Sequence, residues 1–234
     1  MRRLTLLGMD HSPWAQTVAI ALRLKGLSFD TTIIFSARKF RASGFCFPVL
    51  YADDRALAGS DTALRYIDRL DSLGGEVGSL VNVYDEGEWI FRAEELMYLL
   101  VAGRCPPSQL FSFLNASSKC TDLCTSNTAR LANAFMRALT CWHFALTMML
   151  GTLMGMRMDL STARDNLRWW ARALEASGGP FMCGTVPTGA DAVLFGFMQT
   201  MSSASGLTDQ VCDPTRHLQR ALARARHRAL CTTD

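Results

Sequence analysis

At 234 residues, with 49% hydrophobic and 19% charged side chains, the chain is neither disordered nor highly charged and is long enough for two modest domains. A formal net charge of +3, with three lysines and the remaining basic residues arginines spread rather than striped, excludes a nucleic-acid surface. The eight cysteines lie in core, loop and tail segments without repeated metal-ligand spacing, and Asp10 and His11 cut the apolar run after Met1-Arg2-Arg3 short, so reduced thiols, no metal, no cleaved leader and a cytoplasmic location are expected.

Leu4, Leu6 and Leu7 form an apolar run too short for a helix. Trp14, Val18, Ala21 and Leu22 then recur at helical spacing behind Pro13, a residue suited to a first turn. Ser12 therefore stands where a strand gives way to a helix, and unpaired N–H groups and the helix dipole stabilise an anion there. Residues 27–35 alternate and are rich in branched and aromatic side chains, which predicts a second strand parallel to the first. Residues 36–45 read as a polar, basic surface loop carrying Arg38, Lys39 and Arg41. A hairpin follows, with strands 47–52 and 56–58 joined by Asp53-Asp54-Arg55. Pro48 stands at the start of its strand, where a proline costs no ladder bond and a cis peptide would expose the backbone of Phe47. Residues 59–70 form an amphipathic helix with Ser60 placed to cap it.

The glycine-rich stretch 73–79 marks the expected boundary between a unit at 1–75 and a second at 83–234. Everything beyond it reads as helical: 85–101, a break at Cys105-Pro106-Pro107, 128 to about 156, a helix from Asp159 or Ser161 to Ala176, then 188 to about 201 and 214 to about 228. Residues 138–156 carry His143 as their one ionisable group and could nearly cross a bilayer at roughly 1.5 Å per residue. At the centre of an all-helical unit such a helix is apolar all round, so it is read as a buried core helix and no membrane span is expected.

Four stretches, in order and properly spaced, resemble the cytosolic glutathione transferases of the serine type. They are Leu7-Gly8-Met9-Asp10-His11-Ser12-Pro13-Trp14 with Ala19-Ile20-Ala21-Leu22-Arg23-Leu24-Lys25-Gly26; Phe47-Pro48-Val49-Leu50; Ser60-Asp61-Thr62-Ala63-Leu64-Arg65-Tyr66-Ile67; and Gly179-Pro180-Phe181-Met182-Cys183-Gly184 with Pro187-Thr188-Gly189-Ala190-Asp191. The resemblance implies α/β plus all-α architecture: a thioredoxin-like N-terminal domain followed by an all-helical domain. It further implies glutathione as co-substrate across the first domain, a small apolar electrophile between the two, and a homodimer. By the same match Ser12 activates the glutathione thiol, the Phe47 backbone beside cis-Pro48 binds the cysteinyl amide, and Ser60 binds the γ-glutamyl carboxylate. Lys39 or Arg41 would hold the glycine carboxylate, while His11, Trp89 and Arg92 are candidates for the electrophile site.

A free thiol has a pKa near ~8.5, so a transferase must favour the thiolate, and the Ser12 hydroxyl with its adjoining helix N-terminus can do so. Ala15 occupies the position of a dithiol oxidoreductase's second cysteine, which favours conjugation over disulfide chemistry. The sequence departs from the family pattern at Gly59, where an acid or glutamine normally pairs with the γ-glutamyl group. Losing such a charged hydrogen bond costs about 1.5–3 kcal/mol, with Asp61 as partial substitute, and restoring an acid at 59 is expected to tighten binding. Two other functions therefore stay open: a non-catalytic binding or scaffold protein, and a glutathione-dependent lyase, isomerase or dehalogenase.

Overall fold

The computed structural model describes residues 3–8, 12–32, 47–53, 55–73, 76–85, 87–102, 138, 142, 146 and 160–202. The opening leucines form strand β1 (Leu4–Leu7), and helix α1 (Pro13–Leu24) follows with Pro13 in its first turn. Strand β2 (Asp30–Thr32) runs parallel to β1 with Thr5 opposite Asp30. It starts later than the alternation predicted, because the Leu27 N–H closes the end of α1 on the Leu22 carbonyl at 2.9 Å instead of entering a ladder. Strands β3 (Val49–Ala52) and β4 (Arg55–Ala58) make the expected hairpin. The sheet order is β2-β1-β3-β4, with β3 antiparallel to both its neighbours.

Helix α2 (Ser60–Asp68) packs its Ala63, Leu64 and Ile67 face into a core shared with Leu6, Val18, Leu22, Leu50 and Leu57. Burial of each leucine, isoleucine or valine among them contributes about 1.5–3 kcal/mol. The expected cap at Ser60 is corrected by one residue. Gly59 is the cap residue and Ser60 the first helical one, because the chain turns out of β4 at Gly59 with φ 84°.

The glycine-rich segment is no free tether. Leu80 is fully buried in the same core, and its N–H donates to the Asp68 carboxylate at 2.6 Å. Gly78 N–H donates to Pro187 at 2.9 Å, and Gly189 N–H to Ser79 at 3.0 Å, so this stretch bonds to both sides. Buried Lys25 ties down the end of α2, its ammonium donating to the carbonyls of Asp68 and Leu70; a cation suits that helix pole.

The helix expected at 85–101 starts three residues later, beyond a positive φ at Gly87, and a short helix the sequence did not announce precedes it: α3 (Asn82–Asp85), then α4 (Glu88–Ala102). Helices α5 (Leu160–Ala176) and α6 (Gly189–Ser202) follow as read. Helix α6 lies directly on α1: a Cβ at Gly196 would stand 2.6 Å from Thr17 Oγ1 and 2.9 Å from the Pro13 carbonyl, and Trp14 meets Phe197 edge-on at 4.9 Å. With the sheet on its other side, α1 is buried continuously from Ala15 to Leu22. Ala138, Trp142 and Leu146 are helical but exposed, Trp142 at 77%. The helix expected at 128–156 is therefore not buried all round, since these positions at four-residue spacing share an outward face. Its other residues, and the segments at 105–107 and 214–228, lie outside the described residues. Among the described residues no helix is long and apolar enough to cross a membrane.

Candidate functional site

Sheet register assembles the site. Val49 at the start of β3 is opposite Leu7 at the end of β1 and opposite Ala58 at the end of β4. One residue further, Gly8, Pro48 and Gly59 therefore share one end of the sheet, and the Gly59 N–H donates to the Pro48 carbonyl at 2.8 Å. Since β1 and β4 run in the same direction, α1 and α2 both begin at that end. Their first-turn N–H groups and dipoles are thereby brought to a common edge. The Phe47–Pro48 peptide is cis, as the sequence suggested. Close approach explains Gly8: a Cβ there would stand 2.8 Å from the Ala15 Cβ and 3.9 Å from Pro48.

Half-buried Ser12 is the N-cap of α1, and its Oγ accepts from the Ala15 N–H at 3.3 Å. That bond occupies a lone pair and leaves the hydroxyl proton available to a second partner. At the start of α2, the Ser60 hydroxyl accepts from the Tyr84 hydroxyl at 3.0 Å. Asp61 is paired with Arg65 at 2.8 Å, both side chains about half exposed, and Arg65 also reaches Asp85 at 3.9 Å and lies 5.9 Å from the Tyr84 ring centre. Burial pushes the Tyr84 phenol up to about 12, with Asp61 and Glu94 adding to the shift and Ser60 and Arg65 opposing it. Glu94 is itself raised by partial burial.

Gly59 acquires a conformational explanation. At φ 84° and ψ 152° it lies in a region reserved almost entirely for glycine, although a Cβ there would meet nothing within 4 Å. An acid at 59 would fit sterically and still be strained, so the tightening expected from restoring it is set against a backbone cost of about 1–3 kcal/mol.

The structure thus brings together Ser12, Phe47, Pro48, Ser60 and Asp61. Trp89 and Arg92 are joined to α5 instead. Trp89 is buried at 5.1 Å from Trp169 and 5.4 Å from Trp170, while Arg92 pairs with Glu88 and Glu95 and lies over the Trp169 ring. His11, Lys39 and Arg41 lie outside the described residues. Sequence reasoning missed Arg65 and Tyr84. The Asp61–Arg65 pair was legible from its four-residue helical spacing, whereas Tyr84 reaches Ser60 across 24 residues with no periodic signal. Among the described residues no cluster of His, Cys, Asp or Glu is placed to hold a metal ion.

The mixed sheet with helix N-termini at one edge, followed by a helical part, matches the fold of solved glutathione S-transferases. A family model described as the N-terminal domain of glutathione S-transferase matches residues 11–70. The Tau class glutathione S-transferase from mango, Mangifera indica, superposes with a TM-score of 0.52 at 17% identity, over 95% of this chain and 87% of that one. The glutathione S-transferase from Ascaris lumbricoides gives 0.50 at 16% identity over 96% and 92%. A maleylacetoacetate isomerase from Anaeromyxobacter dehalogenans gives 0.51 at 16% identity over 99% and 91%. No curated protein matches the sequence.

Proposed function

We propose that this protein binds glutathione along the sheet edge that gathers Ser12, Pro48 and Ser60, and that Ser12 stabilises the thiolate for attack on a small apolar electrophile. The observation that carries the reading is the convergence of two helix N-termini, each bearing a hydroxyl, on the end of the sheet that holds cis-Pro48. A tripeptide laid across that edge has its thiol at the start of α1 and its γ-glutamyl carboxylate at the start of α2, both anions at positive helix poles. The Ser12 proton, not needed for capping, is donated to the sulfur, and a hydrogen bond to the charged form lowers the thiol pKa. Phe47 supplies backbone groups to the cysteinyl amide, Lys39 or Arg41 receives the glycine carboxylate, and His11 borders the electrophile. The functional unit is a homodimer in the cytoplasm, with the domains divided as 1–75 and 83–234.

A second reading, a binding protein without turnover, is favoured by Gly59 and by the engagement of Asp61 with Arg65, which leave the γ-glutamyl end without a free acid. The experiment is a calorimetric titration with reduced glutathione, paired with turnover of a generic aryl halide. Binding with conjugation supports the transferase, binding alone the second reading, and neither sinks both. Conversion of an isomerase or lyase substrate without conjugation would place the same thiolate in that chemistry.

A further inference from the structure

A tyrosine from the helical part of the chain reaches into the proposed tripeptide site. Tyr84 is carried on α3, which is anchored by buried Leu80 just before it, by buried Val83 within it, and by the Tyr84 N–H on the Val81 carbonyl at 2.9 Å. Its ring lies beside the Arg65 guanidinium, which Asp61 holds at 2.8 Å and Asp85 faces at 3.9 Å, so both ring and hydroxyl have fixed positions. A phenol is the more acidic of two hydroxyls, so in the 3.0 Å contact Tyr84 donates and Ser60 accepts. A serine hydroxyl has one proton, and with a lone pair thus occupied that proton is left to give. The arrangement repeats the one at Ser12, where the Ala15 N–H fills the lone pair.

We propose that Tyr84 is a positioning residue for bound glutathione: by donating to Ser60 it makes Ser60 a hydrogen-bond donor to the γ-glutamyl carboxylate. The inference rests on the glutathione reading above and adds to it a residue from outside the sheet unit. It also gives the site a preference of sign. Ser60 keeps a second lone pair, but its one proton is left to give, and a carboxylate, which only accepts, is the partner that uses both that proton and the first-turn N–H groups of α2. Asp61 and Arg65 from α2, Asp85 from α3 and Glu94 from α4 face this corner. Burial nevertheless keeps the phenol protonated until about pH 12, so it remains a donor at every working pH.

The test is a cycle of Tyr84→Phe, Ser60→Ala and the double variant in the full chain, read by glutathione titration, by KM and kcat for aryl halide conjugation, and by thermal unfolding without ligand. Tyr84→Phe retains the ring and is expected to weaken glutathione about 3- to 10-fold, the loss appearing in KM rather than kcat. The double variant should bind no worse than Ser60→Ala alone. Unchanged affinity in Tyr84→Phe overturns the inference, even if unfolding shifts, as do losses that multiply in the double variant. A wild-type protein that binds no glutathione removes the reading of the site and this inference together, a result distinct from wild-type binding that Tyr84→Phe leaves intact.

Discussion

The start of α6 and the starts of α1 and α2 are built from the same kind of polar residues and left in opposite states. At α6, Asp191 is buried and its carboxylate accepts from the Met182 N–H at 2.8 Å, the Thr188 N–H at 2.9 Å and the Thr188 hydroxyl at 3.0 Å. The reach back to the Thr188 N–H is one half of a capping box, and the bond to Met182 also holds the turn bridged by Phe181 and Gly184. Burial pushes the Asp191 carboxyl up while those hydrogen bonds oppose it. At the sheet edge, Ser12 makes one 3.3 Å cap bond, and the Gly59 cap position offers no side chain at all. A helix start closed by its own side chains holds the fold; one left open holds its donors for something else.

That contrast predicts a graded series of stability losses. Asp191→Ala strands two buried N–H groups and is expected to cost about 2–4 kcal/mol, read from the midpoint of urea unfolding. A loss below about 1 kcal/mol would mean that the closed helix start is ornamental. Gly59→Ala comes next, at about 1–3 kcal/mol, a cost of backbone conformation alone because space for the methyl is open. The same unfolding curve checks it. A neutral result would show that the turn relaxes away from φ 84° and would reopen the case for an acid at that position.

The sequence yielded elements where one periodicity or one punctuating residue decides the structure. Alternation and Pro48 gave the hairpin and the cis bond, Pro13 the start of α1, and the Ser177-Gly178-Gly179-Pro180 stop the end of α5. It failed where a glycine takes a positive φ that its neighbours do not announce. Gly59 displaced the cap from Ser60, and Gly87 moved the start of the helix expected from Asp85 to Glu88. The candidate site was legible as far as motif and strand order reach, which covers Ser12, Pro48 and Ser60. Tyr84 and the continuity of the 76–81 segment with the core were not, because both depend on tertiary contact. Asp68 holding Leu80, and Tyr84 meeting Ser60, join residues that no local pattern relates. The exposed face of Trp142 and Leu146 shows the converse, an apolar run whose composition could not say which side faces outward.

Tyr84 allows the comparison to be sharpened by pH. The folded protein keeps the phenol proton to about pH 12, while the unfolded chain releases it near 10.0. A folded-state pKa raised in this way contributes stability that is fully present below pH 10 and is lost as pH rises toward 12. Wild type should therefore lose more stability across that window than Tyr84→Phe does, as measured by urea unfolding at matched pH values. Equal losses would mean that the phenol is not buried in the folded protein.

The smallest stability effect is expected where the chemistry is proposed. Replacing an N-cap serine by alanine costs about 0.5–2 kcal/mol, but by glycine only a few tenths, so Ser12→Gly removes the hydroxyl with the helix start nearly intact. Its conjugation rate at neutral pH should fall about tenfold or more, because one unit of lost thiol pKa depression is a tenfold loss of thiolate. The deficit should close as pH rises past the intrinsic thiol pKa of about 8.5 and glutathione ionises unaided. Ser12→Thr, which restores the hydroxyl, should recover the low-pH rate. A loss that is the same at every pH would mean that Ser12 positions the tripeptide without acting on its sulfur. A loss of rate matched by an equal loss of stability would mean that the start of α1 is as closed as the start of α6.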